Sequence, residues 1–272
     1  MIVPPIKCQG IKSKLVPSIS KLIPKYKIWY EPFMGSGVVG FNIQPKIAVF
    51  SDTNPHLINF YNDIKNNKIN NKIARDFLEY ESEKLLQYGE EHYLENRKKF
   101  NETPNSLLFL FLNRSCFNGL MRFNSKGGFN VPFCKKNNRF SKSYITKIVN
   151  QISNVQNIIA ENDYIFECCD FKSIIRKATY DDFIYCDPPY IDRHSDYFNK
   201  WTEAEEKELF FELKQTKSKF ILSTWNFNNY RKNIYIDKFW RNFNIVNIPH
   251  FYFLGGKEVN RNIMTESLVV NL

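Results

Sequence analysis

Two segments combine residue types and spacing that could do chemistry: Asp187-Pro188-Pro189-Tyr190 and Gly35-Ser36-Gly37-Val38-Val39-Gly40. The tetrapeptide directly follows a short apolar run, Phe183-Ile184-Tyr185-Cys186, that reads as a buried strand. An exocyclic amino group on a nucleobase is a poor nucleophile because its lone pair is delocalised into the ring. Two acceptors on its N–H groups favour a pyramidal nitrogen with a usable lone pair. The Asp187 carboxylate and the Pro188 carbonyl supply such a pair, and Pro189 brings no N–H to compete for that carbonyl. Tyr190 offers a face on which an extruded base can stack. The glycine segment matches GxGxxG, and Asp52 closes the next strand, the pattern of a turn that receives a nucleoside ligand. That pattern does not choose between a dinucleotide and S-adenosylmethionine. A strand-end Asp in a Pro-Pro turn and a ligand-free glycine turn are the bland alternatives.

The elements that must position these groups can be read around them. Leu15, Ile19 and Leu22 have helical spacing before Pro24. Ile28-Trp29-Tyr30 reads as a strand ending at Glu31, Val38 to Phe41 as a helix start, and Ile47 to Phe50 as a second strand. Strand, glycine turn, helix and strand form a βαβ unit, which implies a parallel sheet with right-handed crossovers. From Leu57 to about Ala160 the pattern turns helical and polar. Within it, Asn118-Gly119 and Gly127-Gly128 mark hairpins or ordered loops between Arg114 and Phe133. Ile145, Ile148, Val149, Ile152, Val155 and Ile159 form a core-facing helical stripe. Strands then return at Tyr164–Glu167, Phe183–Cys186, Phe220–Ser223, Ile245–Ile248 and Leu268–Val270, with a Thr202/Glu205 capping box opening one more helix. The chain reads as one α/β sheet domain interrupted by a mostly helical insertion.

Composition narrows the classes. With 272 residues, 43% of them hydrophobic, the chain can bury a substantial core. Its 38 basic residues against 28 acidic give a net charge of +10, which suits a polyanionic partner without proving one. No apolar stretch approaches the ~20 residues that span a bilayer, and the first residues lack the apolar region of a secretory signal. Six cysteines without a CxxC pair suggest neither zinc nor a disulfide framework, so a reduced, cytoplasmic protein is expected. His56, His92, His194 and His250 have no metal-ligand spacing, and no metal is expected.

Several segments together resemble the Dam family of DNA adenine methyltransferases (D12 class, alpha group). Lys7-Cys8-Gln9-Gly10-Ile11-Lys12 resembles the family's N-terminal cofactor motif, Glu31 to Gly37 its main cofactor motif, and Asp187 to Tyr190 its catalytic motif. Asn113 to Asn124 is similar to its recognition hairpin, and Gly128 to Phe133 continues the match. The resemblance implies a Rossmann-like class I S-adenosylmethionine-dependent methyltransferase sheet, formed by residues 1–60 and 161–272. Residues 61–160 would be an inserted, mostly helical target-recognition domain containing a β-hairpin. It implies methyl transfer from S-adenosylmethionine to N6 of a flipped adenine in double-stranded DNA by direct displacement, with GATC the favoured site. The cofactor would meet Lys12 at its methionine part and Asp52 at its ribose. Asp170 and Phe171 would bracket its adenine, with Glu31, Pro32, Phe33, Gly35, Gly37, Asn54 and Asp187 completing the site. Asp187, Pro188, Pro189 and Tyr190 would be catalytic.

On the DNA side, the resemblance implies base-edge contacts from Lys7 and Arg122, with Phe117 or Asn118 entering the stack. Asn113, Arg114, Leu120, Asn124 and Pro132 complete the expected DNA-binding set. Cys8 departs from the family, which commonly has an aromatic there, and the segment Gly255–Asn262 does not map onto it. A monomer is expected, with a restriction endonuclease as a possible functional counterpart. Three other readings compete. Methyltransferases of RNA or protein glutamine more often carry Asn at the position of Asp187. A DNA-binding module with a decayed cofactor site conflicts with intact Gly35, Gly37, Asp52 and Asp187. A nicotinamide-dependent oxidoreductase rests on GxGxxG alone.

Overall fold

The computed structural model describes residues 1–191, 201–228, 231–251 and 263–272. The expectations attached to His194 and to the Gly255–Asn262 segment lie outside them. Along the chain, α1 (Val16–Ser20), β1 (Trp29–Glu31), α2 (Val38–Ile43), β2 (Ile47–Asp52) and α3 (Pro55–Lys65) come first. The helices α4 (Asn71–Tyr88), α5 (Glu90–Glu102), α6 (Ser106–Ser115) and α7 (Lys142–Glu161) follow. The chain then returns through β3 (Asp163–Cys168), α8 (Phe171–Ile175), β4 (Phe183–Cys186), α9 (Glu203–Gln215), β5 (Lys219–Asn228), β6 (Asn244–Phe251) and β7 (Ile263–Asn271).

The seven strands form one sheet in the order β3-β2-β1-β4-β5-β7-β6. The first five are parallel, and β7 runs antiparallel between β5 and β6. This is the Rossmann-like arrangement expected, with an antiparallel β6–β7 hairpin added at one edge. Alternation along each strand splits the core in two. Trp29, Ala48, Phe50, Phe183, Tyr185 and Ile221 face one cluster. Tyr30, Val49, Ile184, Cys186 and Leu222 face the other, with α8 and α9. A sheet covered on both faces explains why its central strands read as continuous apolar runs. The outer strands β5, β6 and β7 extend well past the apolar cores seen in the sequence. Polar residues such as Thr224, Thr265 and Glu266 lie within the pairing, and Asn226 sits at a register shift between Trp225 and Phe227. An apolar run marks only the middle of such a strand.

The asparagine-rich composition is put to use at helix starts. Asn54, Asn70 and Asn105 each accept a hydrogen bond from the first turn of α3, α4 and α6, a cap typically worth about 1 kcal/mol. The expected capping box is present, with Glu205 reaching back to the Thr202 backbone N–H at 2.7 Å. Packing continues without a break from the sheet into the helical region. Phe60, Tyr61 and Ile64 of α3 share one cluster with Leu110 and Phe111 of α6, Ile148 of α7 and Tyr164 of β3.

One expectation is corrected. Asn113 and Arg114 do not belong to a hairpin but close α6, because the run Leu107 to Leu112 buries itself helically and carries the helix through Ser115. After a 3-10 turn at Phe117–Gly119, the segment to Phe133 is an ordered loop. It is pinned by isolated bridges, Cys116 to Phe133 and Phe123 to Phe129, rather than by a regular ladder.

Candidate active site

β1 and β4 are neighbours, yet the chain leaves them in opposite directions across the sheet, so the crevice at their carboxyl ends is the topological switch point. Glu31 ends β1 and Asp187 follows β4, and both line a cavity of about 520 Å³ at that point, within the size range of small-molecule sites. Cys8, Lys12, Pro32, Phe33, Gly35 and Asp52 also line it. Asn54, Met121, Asp170, Phe171, Pro189 and Trp201 add further wall.

The glycine turn is shaped by backbone demands. Gly35 and Gly37 have φ of 47° and 71°, in the left-handed region that side chains avoid. A Cβ at Gly35 would meet only Cys8 Sγ, at 3.9 Å, so this turn borders open cavity. A Cβ at Gly40 would instead lie 2.2 Å from Phe50 and 2.6 Å from Glu31 Oε2. The third glycine therefore serves close packing of α2 on the sheet, and the first leaves room for a ligand. The Asp52 carboxylate is fixed by the backbone N–H groups of Gly35 (3.1 Å) and Asn54 (2.9 Å). Burial pushes its pKa up, and those N–H groups hold it back.

Asp187 forms an ion pair with Lys12 at 2.8 Å. The same ammonium donates to the Gly10 carbonyl at 2.8 Å and lies 4.8 Å from the centre of the Tyr190 ring. Lys12 is 3% exposed, whereas Asp187 keeps 23% of its side chain open to the cavity. Burial raises Asp187 to about 6, against the lowering effect of Lys12. The Tyr190 hydroxyl donates to the buried carboxylate of Glu266, which fixes the ring beside Lys12. Glu31, 2% exposed, accepts from Trp29 Nε1 at 2.9 Å. Burial raises it to about 8, a rise reinforced by Asp187 and opposed by the Trp29 bond.

At another part of the wall, Phe33, Phe171 and Trp201 pack with ring centres 5.4 to 5.7 Å apart. Trp201 escaped the sequence reading, since its only signal is an aromatic just before a capping box. Asp170 caps α8 through the Ser173 N–H at 2.9 Å. Pro188 is buried behind the tetrapeptide.

This donor set fits S-adenosylmethionine. Six carboxylates (Glu31, Asp52, Asp170, Asp187, Glu205 and Glu208) and the ammonium groups of Lys12 and Lys172 line the cavity, a mainly acidic set that suits a ligand with a sulfonium, an ammonium and a carboxylate. Hydroxyl-bearing and aromatic parts would find Asp52 and the three rings. Nothing in the set offers a cluster of cations for a pyrophosphate. Among the described residues, no group of His, Cys, Asp and Glu could hold a metal ion, and no helix is long and apolar enough to cross a membrane.

The expected DNA-binding residues divide into two kinds. Phe117 (50% exposed), Asn118, Asn124 and Pro132 are on the surface, and Arg122 is half-buried. Met121 of the same loop reaches the cavity wall, so the loop borders the site. Arg122 is held by Asn130, with Nε donating to its Oδ1 at 2.9 Å and Nη2 to its carbonyl at 3.1 Å. Lys7 is half-buried against Gly119. Asn113 is 0% exposed and binds the Lys7 backbone N–H and carbonyl at 2.8 and 2.9 Å. Arg114 is buried, donating to Gln151 and to Tyr144. Leu120 is buried as well. The structure thus engages Asn113, Arg114 and Leu120 inside the protein, where they hold the loop.

Comparison with known proteins gives the same direction. The family profile of the D12 class N6 adenine-specific DNA methyltransferases matches residues 9–253. This chain belongs to that family. A type II methyltransferase of Lactococcus lactis subsp. cremoris, M1.LlaDCHI, is 29% identical over 97% of this chain and 94% of its own length. A DNA adenine methylase of Vibrio cholerae is 36% identical over 68% of this chain and 64% of its own length. An rRNA methyltransferase of Streptomyces viridochromogenes, aviRa, overlaps in structure with a TM-score of 0.39 at 10% identity, over 97% of this chain and 88% of that one.

Proposed function

We propose that the protein methylates N6 of an adenine extruded from a short duplex DNA site, with S-adenosylmethionine as donor. The observation that carries this reading is Asp187, one carboxylate open to a cavity at the sheet's switch point, beside the Tyr190 ring. Asp52 would hold the ribose, Phe33, Phe171 and Trp201 the adenine ring, with Asp170 at its edge. Lys12 would hold the carboxylate of the methionine part, and Glu31 its ammonium. The cofactor supplies a methyl group activated by a sulfonium, so no covalent enzyme intermediate is needed.

Asp187 and the Pro188 carbonyl accept the two N6–H bonds of the target base, which frees the nitrogen lone pair. Tyr190, steadied by Glu266, stacks on the base. Lys12 neutralises Asp187 through its ion pair and would have to leave it for the carboxylate to serve as acceptor. Residues 61–160 would carry target recognition, with Phe117 and Asn118 at an exposed turn suited to enter the stack. Arg122 suits guanine O6 and N7, which favours GATC. A monomer suffices, because each strand is modified separately, and a partner restriction endonuclease is compatible with this activity.

The test is methyl transfer from labelled S-adenosylmethionine to genomic DNA, followed by mapping of N6-methyladenine. The wild type should label one short motif, and Asp187→Ala should label none while still binding cofactor. Transfer by Asp187→Ala at the wild-type rate would overturn the assignment.

A further inference from the structure

Tyr144, in the first turn of α7, collects cations. Its hydroxyl oxygen accepts from Arg139 Nη2 at 2.9 Å and from Arg114 Nη1 at 3.3 Å. The Arg139 guanidinium lies over the Tyr144 ring at 4.5 Å. The Lys7 ammonium also lies close enough to this tyrosine to interact with it electrostatically. Arg139 Nε donates to the Arg114 carbonyl at 2.8 Å, and the Lys7 stem crosses Gly119 so closely that a Cβ there would lie 2.6 Å from Lys7 Cδ. Three cations are thereby fixed around one neutral phenol next to the recognition loop.

No carboxylate answers them. Among the described residues, none of the three cations forms an ion pair. The first turn of α7 contains no acidic residue, so the positive end of a 20-residue helix adds to the cluster. Burial and mutual repulsion lower the pKa of Lys7 and Arg114, and the surrounding cations lower that of Tyr144. Such an arrangement is unfavourable until an anion arrives. Arg114 is buried behind it, whereas Arg139, Tyr144 and Lys7 are half-buried and reach solvent.

The concentration of charge identifies the anion. Arg139 engages Nε and Nη2 within the protein, as Arg122 does through Asn130, but it stands beside two further cations that form no ion pair among the described residues. Such concentrated charge suits a phosphate group, which carries a full negative charge where a guanine edge carries none. We infer that Arg139 and Tyr144, backed by Arg114 and Lys7, form a docking site for a backbone phosphate of the duplex beside the recognition loop. The site fixes how the duplex sits without reading its sequence. This inference rests on duplex DNA being the substrate.

The test is the salt dependence of binding, measured with the full chain on two duplexes, one carrying the mapped methylation site and one scrambled. In Arg139→Gln, the slope of log K against log salt should become shallower by about 0.9, the value of one phosphate contact. The change should be equal on both duplexes, and Arg139→Lys should restore the slope. Tyr144→Phe keeps every charge, so it should keep the slope while weakening both complexes. Equal slopes for wild type and a folded Arg139→Gln would overturn the site, and so would a loss confined to one base position. Inorganic phosphate, against chloride at equal ionic strength, should raise the melting temperature of wild type more than that of Arg139→Gln. If it does while the slopes stay equal, the cluster is a small-anion site and the duplex assignment fails. Duplex binding with no methylation of any DNA would end the functional reading but leave this one standing. Methylation with unchanged slopes would do the reverse.

Discussion

Glu31→Gln separates what Glu31 costs the fold from what it gives the ligand. Glu31 is 2% exposed and its pKa is raised to about 8 by burial, so it carries a proton at neutral pH. An unfolded chain would release that proton near the ordinary value of about 4.3. Because the folded pKa is raised, the folded state binds more protons than the unfolded one. Its stability is therefore greatest below about pH 4 and falls as pH rises, until Glu31 ionises in the fold above about pH 8. At about 1.36 kcal/mol per pH unit, the penalty at pH 7 is on the order of 3.5 kcal/mol, and at pH 5 about 1 kcal/mol. Gln is isosteric, carries no proton to lose, and keeps an oxygen for Trp29 Nε1. Urea unfolding at pH 5, 7 and 9 should therefore show a variant more stable than wild type, by a margin that widens with pH. At pH 7 the melting temperature should rise by roughly 5–10 °C. The same change should weaken S-adenosylmethionine binding about tenfold or more, the worth of one charge-assisted hydrogen bond. A margin that does not change with pH, or a variant less stable than wild type at pH 9, would refute the burial argument.

Other consequences are as direct. Asp187 must be ionised to accept N6–H, so kcat/KM should fall with a one-proton slope below about pH 6, and a profile flat down to pH 5 would count against it. Gly40→Ala should lower stability by about 1–3 kcal/mol in denaturant melts although alanine favours helices, since the new Cβ would collide with Phe50 and Glu31. Arg122→Ala should cost roughly 1–3 kcal/mol and relax base choice at one position, read by methylation of single-base variants of the site. Asn130→Ala, which removes the Oδ1 acceptor 2.9 Å from Arg122 Nε but keeps the carbonyl acceptor, should give a smaller loss of the same base selectivity in that assay.

Much of this protein is written locally. GxGxxG needs φ values that side chains avoid, and its strand–turn–helix context is short-range, so Gly35, Gly37 and Asp52 were legible. Gly35 and Asp52 meet at one cavity, whereas Gly37 shapes the turn without lining it. The tetrapeptide Asp187 to Tyr190 declares its own chemistry, and the strand before it places it at a sheet end. Helix stripes and asparagine caps are likewise set by neighbours a few residues away.

What the sequence left open depends on pairs far apart along the chain. Asn113 and Arg114 looked like groups for a ligand, yet the helix they close carries them inside, onto Lys7, Tyr144 and Gln151. Lys12 could be seen as a cofactor contact, but its ion pair with Asp187, 175 positions later, appears only when β4 lies beside β1. Trp201 joins Phe33 and Phe171 for the same reason. The raised pKa values of Glu31 and Asp187 belong to no residue alone, because burial is a property of the assembled sheet. Residue type and near-neighbour spacing fixed which groups can react. Only long-range packing decided which of them share a cavity, and how readily each holds its proton there.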